Sequence, residues 1–72
     1  MANQITTWYL VKKAGRQICI ELIHCSNNKG AAQRDMMALF GLSSADIVTF
    51  SASVRNPWPS LPCNCFDGTR SH

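Results

Sequence analysis

The chain has 72 residues, 46% of them hydrophobic and 15% charged, with a formal net charge of +3. That length suits one small domain with a marginal core, the kind often supplemented by a metal, disulfides or an oligomer interface. The low charge excludes a disordered polyelectrolyte, and the lack of dense Lys/Arg clusters speaks against a dedicated nucleic-acid binder.

Residues 5–11 (ITTWYLV) are β-branched and aromatic and predict a strand. Lys12, Lys13, Ala14, Gly15 and Arg16 follow as a polar, glycine-containing turn, and residues 17–25 (QICIELIHC) predict a second strand, completing a hairpin. A helix over 17–25 is the competing reading, disfavoured by the β-branched density. Ser26, Asn27 and Asn28 are N-cap candidates for a helix over 28–40, with Ala32, Met36, Leu39 and Phe40 on one side. Gly41 suits the left-handed position after the helix, and Leu42 the apolar contact beyond it. Ser43 and Asp46 have capping-box spacing. Residues 47–54 (IVTFSASV) alternate, with Val48, Phe50, Ala52 and Val54 on one face, and predict a half-buried third strand.

The predicted fold is therefore α+β: a ββαβ unit over residues 1–56, with a three-stranded antiparallel or mixed sheet and the helix across one face; if the third strand pairs beside the first, the order is 2-1-3. The other face is expected to stay open, populated by Tyr9, Val11, Cys19, Ile23 and Cys25 and covered by a second chain or by the tail. Low charge and that open face together predict a homodimer or another protein partner.

Residues 57–72 form an extended arm. Pro57, Pro59 and Pro62 disfavour a helix or a central strand, and Trp58, Leu61 and Phe66 between and after them are too bulky for a mere linker. The arm is expected to pack on the domain or on a partner, with 67–72 loose. Residues 1–7 show no charged region followed by an apolar one, and no apolar run reaches the roughly 18 residues that span a bilayer. A cytoplasmic protein with reduced thiols and no membrane partner is expected.

Cys19, His24, Cys25, Cys63, Cys65 and His72 are the residues from which a zinc site could be drawn. Zinc ligands come most often as Cys-x2–4-Cys pairs; Cys63-x-Cys65 is tighter, and His24 and Cys25, as neighbours in a strand, point to opposite faces. Zinc bound by Cys63, Cys65 and one of Cys25 or His24 is thus a minor reading beside free thiols, as is a disulfide, which would imply oxidation or an oxidising compartment, and no cofactor is favoured. A thiol nucleophile would need a base and an oxyanion site, and adjacency of His24 to Cys25 in sequence supplies neither. With no phosphate loop, paired carboxylates or serine elbow, the chain is not expected to be an enzyme.

For partner contact the sequence offers the cationic hairpin tip, Lys12, Lys13 and Arg16, which could touch an acidic surface or merely blunt an edge. On the helix, Met36 and Met37 point about 100° apart, so Met37 can face outward beside Gln33 and Arg34 as an adaptable surface. Trp58 of the arm is a further contact candidate. Direct contact with nucleic acid is not favoured.

In size and element order the chain resembles the small accessory proteins of phages and prophages, among them anti-CRISPR and other anti-defence inhibitors. The segments WYLVKKAGR, RDMMALFGL and DIVTFSASV, within residues 5–54, carry that likeness, and no functional residue is carried over with it. The resemblance implies a non-catalytic protein that occupies a surface of a larger host complex, with the hairpin and the helix face as contacts. The alternative is a small zinc- or nucleic-acid-binding regulatory module.

Overall fold

The structure, a computed structural model, describes residues 4–69. His72 and the end of the arm lie outside the described residues. Two long strands, β1 (Gln4–Lys13) and β2 (Arg16–Cys25), form the hairpin; α1 (Lys29–Phe40), a 3-10 turn (Ser44–Asp46), β3 (Ile47–Ser51) and β4 (Cys63–Asp67) follow. The sheet order is β3-β1-β2-β4, with β1 antiparallel to β2 and to β3, and β4 parallel to β2. The class is α+β, but the sheet has four strands where the sequence predicts three.

The hairpin closes through Ala14 and Gly15, both with positive φ (53° and 77°), the backbone that two-residue turns need to match strand twist. The helix ends on Gly41, also left-handed (φ 66°, ψ 40°). Its N–H reaches Ala38 O and the Leu42 N–H reaches Met37 O, which together satisfy carbonyls of the last turn. At the other end Asn28 is the N-cap, yet its side chain caps nothing. Instead, its Oδ1 accepts from the Cys25 N–H (2.8 Å) and its Nδ2 donates to Gly68 O (3.1 Å), tying β2, the helix start and the chain after β4 together. The Ser43 N–H donates to Asp46 Oδ2 (2.9 Å), the reach-back half of the anticipated capping box.

Register decides the two faces of the sheet, because directly paired residues point the same way. Tyr9 opposes Ile20 and Val11 opposes Ile18, so both lie on the helix side with Leu22, Ala32 and Met36 in the buried core. This corrects their expected place on the far face. Cys19, Ile23 and Cys25 lie on the far face as expected, with Trp8, Leu10 and Glu21 beside them.

The far face is not left open. Residues 52–62 leave β3 at one edge of the sheet and enter β4 at the other, so they must cross β1 and β2. They do so over Trp8 and Cys19. The Trp8 indole N–H donates to Ser53 O (2.8 Å) and the Cys19 N–H to Pro62 O (2.8 Å). Asn56 Oδ1 accepts from the Trp58 N–H (2.8 Å) and from the Cys19 thiol (3.5 Å). Trp8 keeps only 7% of its surface exposed and Cys19 none. Burial of that indole alone is worth about 1.5–3 kcal/mol. The chain thus covers its own second face, and the open face from which a homodimer was expected is absent here.

The helix crossover from β2 to β3 and the arm crossover from β3 to β4 run in opposite directions over opposite faces. They therefore share one hand, and the chain winds around its own hairpin. Gly68, just past β4, is buried; a Cβ there would stand 2.6 Å from Ala32 Cβ and 3.0 Å from Ile23 O. Residues 67–69, expected to be loose, are thus anchored: the Gly68 N–H donates to Ile23 O (2.6 Å), and Asp67 Oδ1 accepts from the Thr69 N–H (2.9 Å).

Candidate interaction surface

The helix packs over β2, not over β3. That placement leaves the helix side of β3 uncovered. Phe50, opposite Tyr9 in the register, stacks against its ring (centroids 5.9 Å apart, tilted by 40°) and remains 56% exposed. Val48, also 54% exposed, is the extra residue of a bulge, since Thr49 pairs Leu10 while Ile47 pairs Val11. The expectation that Val48 and Phe50 face a core is corrected: β3 is a short edge strand that ends at Ser51.

Along the helix flank nearest Phe50 run Lys29, Gln33 and Met37, spaced by four and so on one stripe. Lys29 Nζ stands 4.6 Å from the Phe50 ring centroid, a cation–π contact. Gln33 Oε1 accepts from the buried Tyr9 hydroxyl (2.8 Å), and Gln33 Nε2 contacts Met37 Sδ (3.9 Å). Burial raises the Tyr9 phenol above its usual range, so it stays a donor to Gln33. The result is an exposed aromatic ring with an ammonium over its face, beside a helix stripe that continues through an amide to a thioether. Large exposed aromatics and flexible Met side chains are what protein-binding surfaces are built from. Gln33 and Met37 are among the residues the sequence offers for partner contact; Phe50 and Lys29 are not, although the i, i+4, i+8 spacing of Lys29, Gln33 and Met37 was there to read.

The other contact candidates lie elsewhere. Arg34 is exposed on a different face of the helix, and Trp58 is half-buried within the arm. Lys12, Lys13 and Arg16 are exposed but do not form one patch. Lys13 pairs Arg16 across the turn and shares its face, whereas Lys12 pairs Gln17 and points away. Lys13 Nζ also donates to Gly41 O, so this cation neutralises the helix C-terminus. With Arg16 it borders an open cleft of about 310 Å³ floored by Val11, Ile18, Phe40 and Leu42.

The residues of the zinc reading are not brought together. His24 sits on the helix side, buried. Its Nδ1 bonds Cys25 O (2.8 Å) and must carry the proton, leaving Nε2 to accept from the Thr7 hydroxyl (2.9 Å) in the neutral ring. Cys25 points to the far face, at the end of β2. Cys63 and Cys65 share that face but pair with Cys19 and Glu21, four residues or more before Cys25. Among the described residues no three His, Cys, Asp or Glu side chains are placed to hold a metal ion. Adjacent positions in a strand diverge, and the sheet fixes that divergence.

Cys19 and Cys63 are instead directly paired across β2 and β4. Burial, then the Cys63 thiol, then Cys63 and Glu21 charge push Cys19 up from 9.0 to about 12. Cys65 is raised as well, by burial and by Glu21. The raised Cys19 value has a consequence for folding. The neutral buried thiol contributes stability that is fully present below pH 9 and lost as pH rises toward 12, because the unfolded chain releases that proton first. The urea midpoint of the wild type should fall over this window. That of Cys19→Ala should fall less steeply; equal slopes would show that Cys19 does not carry the effect.

No helix among the described residues is long and apolar enough to cross a membrane. Comparison with protein-family models, curated proteins and solved structures found no match to this chain.

Proposed function

We propose that this chain is a non-catalytic protein-binding protein that works by occupying a surface of a larger complex, and that Phe50 with Lys29, Gln33 and Met37 is its contact surface. The observation that carries this reading is Phe50 itself: an aromatic ring 56% exposed on an edge strand, resting on a buried tyrosine and framed by adaptable side chains. A ring held rigidly from below loses little entropy on binding, and desolvating it is worth on the order of 1–3 kcal/mol. The low charge and compact size suit such a role, as does the likeness to small phage-encoded inhibitors. On that reading the partner is a host assembly of the kind such inhibitors block, met in the cytoplasm.

The reading is tested by affinity capture from extract of the native host with wild type and Phe50→Asp side by side. Phe50 is outside the buried core and more than half exposed, so the variant should keep the wild-type circular dichroism spectrum. A defined partner should be retained by wild type and lost by more than tenfold with Phe50→Asp. A partner captured equally by both would move the contact away from β3. Capture only of further copies of the chain would replace the host-complex reading with self-association.

A further inference from the structure

Cys19 and Cys63 stand directly opposite one another in the parallel β2–β4 pair, on the sheet face crossed by the arm. Neighbouring strands are about 4.8 Å apart, which falls within the roughly 4.4–6.8 Å separation of Cα atoms that a disulfide spans. The Cys63 thiol donates to the neighbouring Asn64 carbonyl (3.6 Å) and must turn from it to meet Cys19. Cys63 is exposed, whereas Cys19 is buried and its thiol donates to Asn56 of the arm. Cys25 is four residues past the partner of Cys65 on β2, and Cys65 itself faces Glu21. The register therefore selects one pair from the four cysteines.

We propose that Cys19 and Cys63 are a redox pair, and that their reversible disulfide clamps β4 and the arm onto β2. The oxidant is a small-molecule disulfide of the glutathione class. The exposed Cys63 thiolate attacks one sulfur of that disulfide and expels the first thiolate, giving a mixed disulfide. The Cys19 thiolate then attacks Cys63 Sγ and expels the second. The two cysteines lose two electrons, the small disulfide is reduced to two thiols, and the two cysteine protons end on those thiols. Cys63 must act first, since Cys19 lies beneath the arm and is hard to ionise. The bond closes the loop that contains α1, β3 and the arm crossover, so it constrains the unfolded chain and raises the denaturant midpoint of the oxidised form.

The test treats the full chain with oxidised glutathione, alkylates remaining thiols, and reads intact mass and cross-linked peptides. Wild type and Cys65→Ser should each lose two hydrogens, keep the bond within one chain and return to the reduced mass with dithiothreitol. Fragment ions should place the bond between Cys19 and Cys63. Cys63→Ser should form no such bond, and oxidation should raise the urea midpoint of wild type but not of this variant. Circular dichroism of each variant before treatment establishes that it is folded. A bond between Cys63 and Cys65, a bond between chains, or four alkylated thiols in treated wild type would overturn the proposal.

Discussion

A chain cut back to residues 1–56 should show no cooperative unfolding transition. The deletion removes β4 and with it Phe66, which packs edge-on against Phe40 (centroids 6.5 Å apart) and borders the core. It also removes both Gly68 hydrogen bonds, to Ile23 and to Asn28, and the Pro62 carbonyl that accepts from Cys19. The Trp58 N–H that donates to Asn56 Oδ1 is lost as well. Burial of Phe66 is worth about 1.5–3 kcal/mol and each lost hydrogen bond about 1 kcal/mol. The sum, on the order of 5 kcal/mol, equals the whole margin of a domain this small. Urea unfolding followed by circular dichroism measures the result. A truncated chain that melts like the full one would show that the crossover and β4 contribute nothing to the fold.

Gly68→Ala should cost about 1–3 kcal/mol, a large effect for one added methyl group. The cause is steric: its Cβ would meet Ala32 Cβ at 2.6 Å and the Ile23 carbonyl at 3.0 Å. Gly68 is where the helix comes down on the end of β4, and the close approach needs a residue without a side chain. The companion variant Ala32→Gly removes one of the two clashing atoms. By itself it should destabilise by about 1 kcal/mol, because glycine is a poor helix former. In the Gly68→Ala background the same change should cost less, or help, since it relieves the shortest contact. A double-mutant cycle in urea reads this coupling, and strictly additive effects would mean that the two positions do not touch.

The local parts of this fold could be read in the sequence. The hairpin follows from two β-branched runs flanking Ala14-Gly15, and the helix boundary at Gly41 follows from the only glycine beside its last apolar residue. The placement of β3 beside β1 was one arrangement the sequence allowed, and the pairing itself settles it. β4 could not be read the same way. Its residues, CNCFD, include Asn and Asp, which strands disfavour, and prolines precede it. It is a strand because the edge of β2 offers a ladder and the arm delivers it there. Its alternation was nonetheless visible, with Asn64 and Phe66 on one side, Cys63 and Cys65 on the other, and Asp67-Gly68 as the turn. The same tertiary cause hid the exposed ring of Phe50. An alternating IVTFSASV predicts a half-buried strand, but which strands a single helix covers depends on where it lands. Here it lands over β2, and Phe50 stays in view. Faces within the hairpin were misjudged for a similar reason: parity is fixed only once Tyr9 is paired with Ile20.

The proposed role rests on Phe50, and the most direct measurement places a photo-crosslinking amino acid at position 50 and, separately, at position 12 on the hairpin tip. Each chain is irradiated in the native host. Crosslinks from position 50 to one defined host protein, absent or much weaker from position 12, are the result this account predicts. Crosslinks from position 12 alone, or none from position 50 in a folded chain, would contradict it.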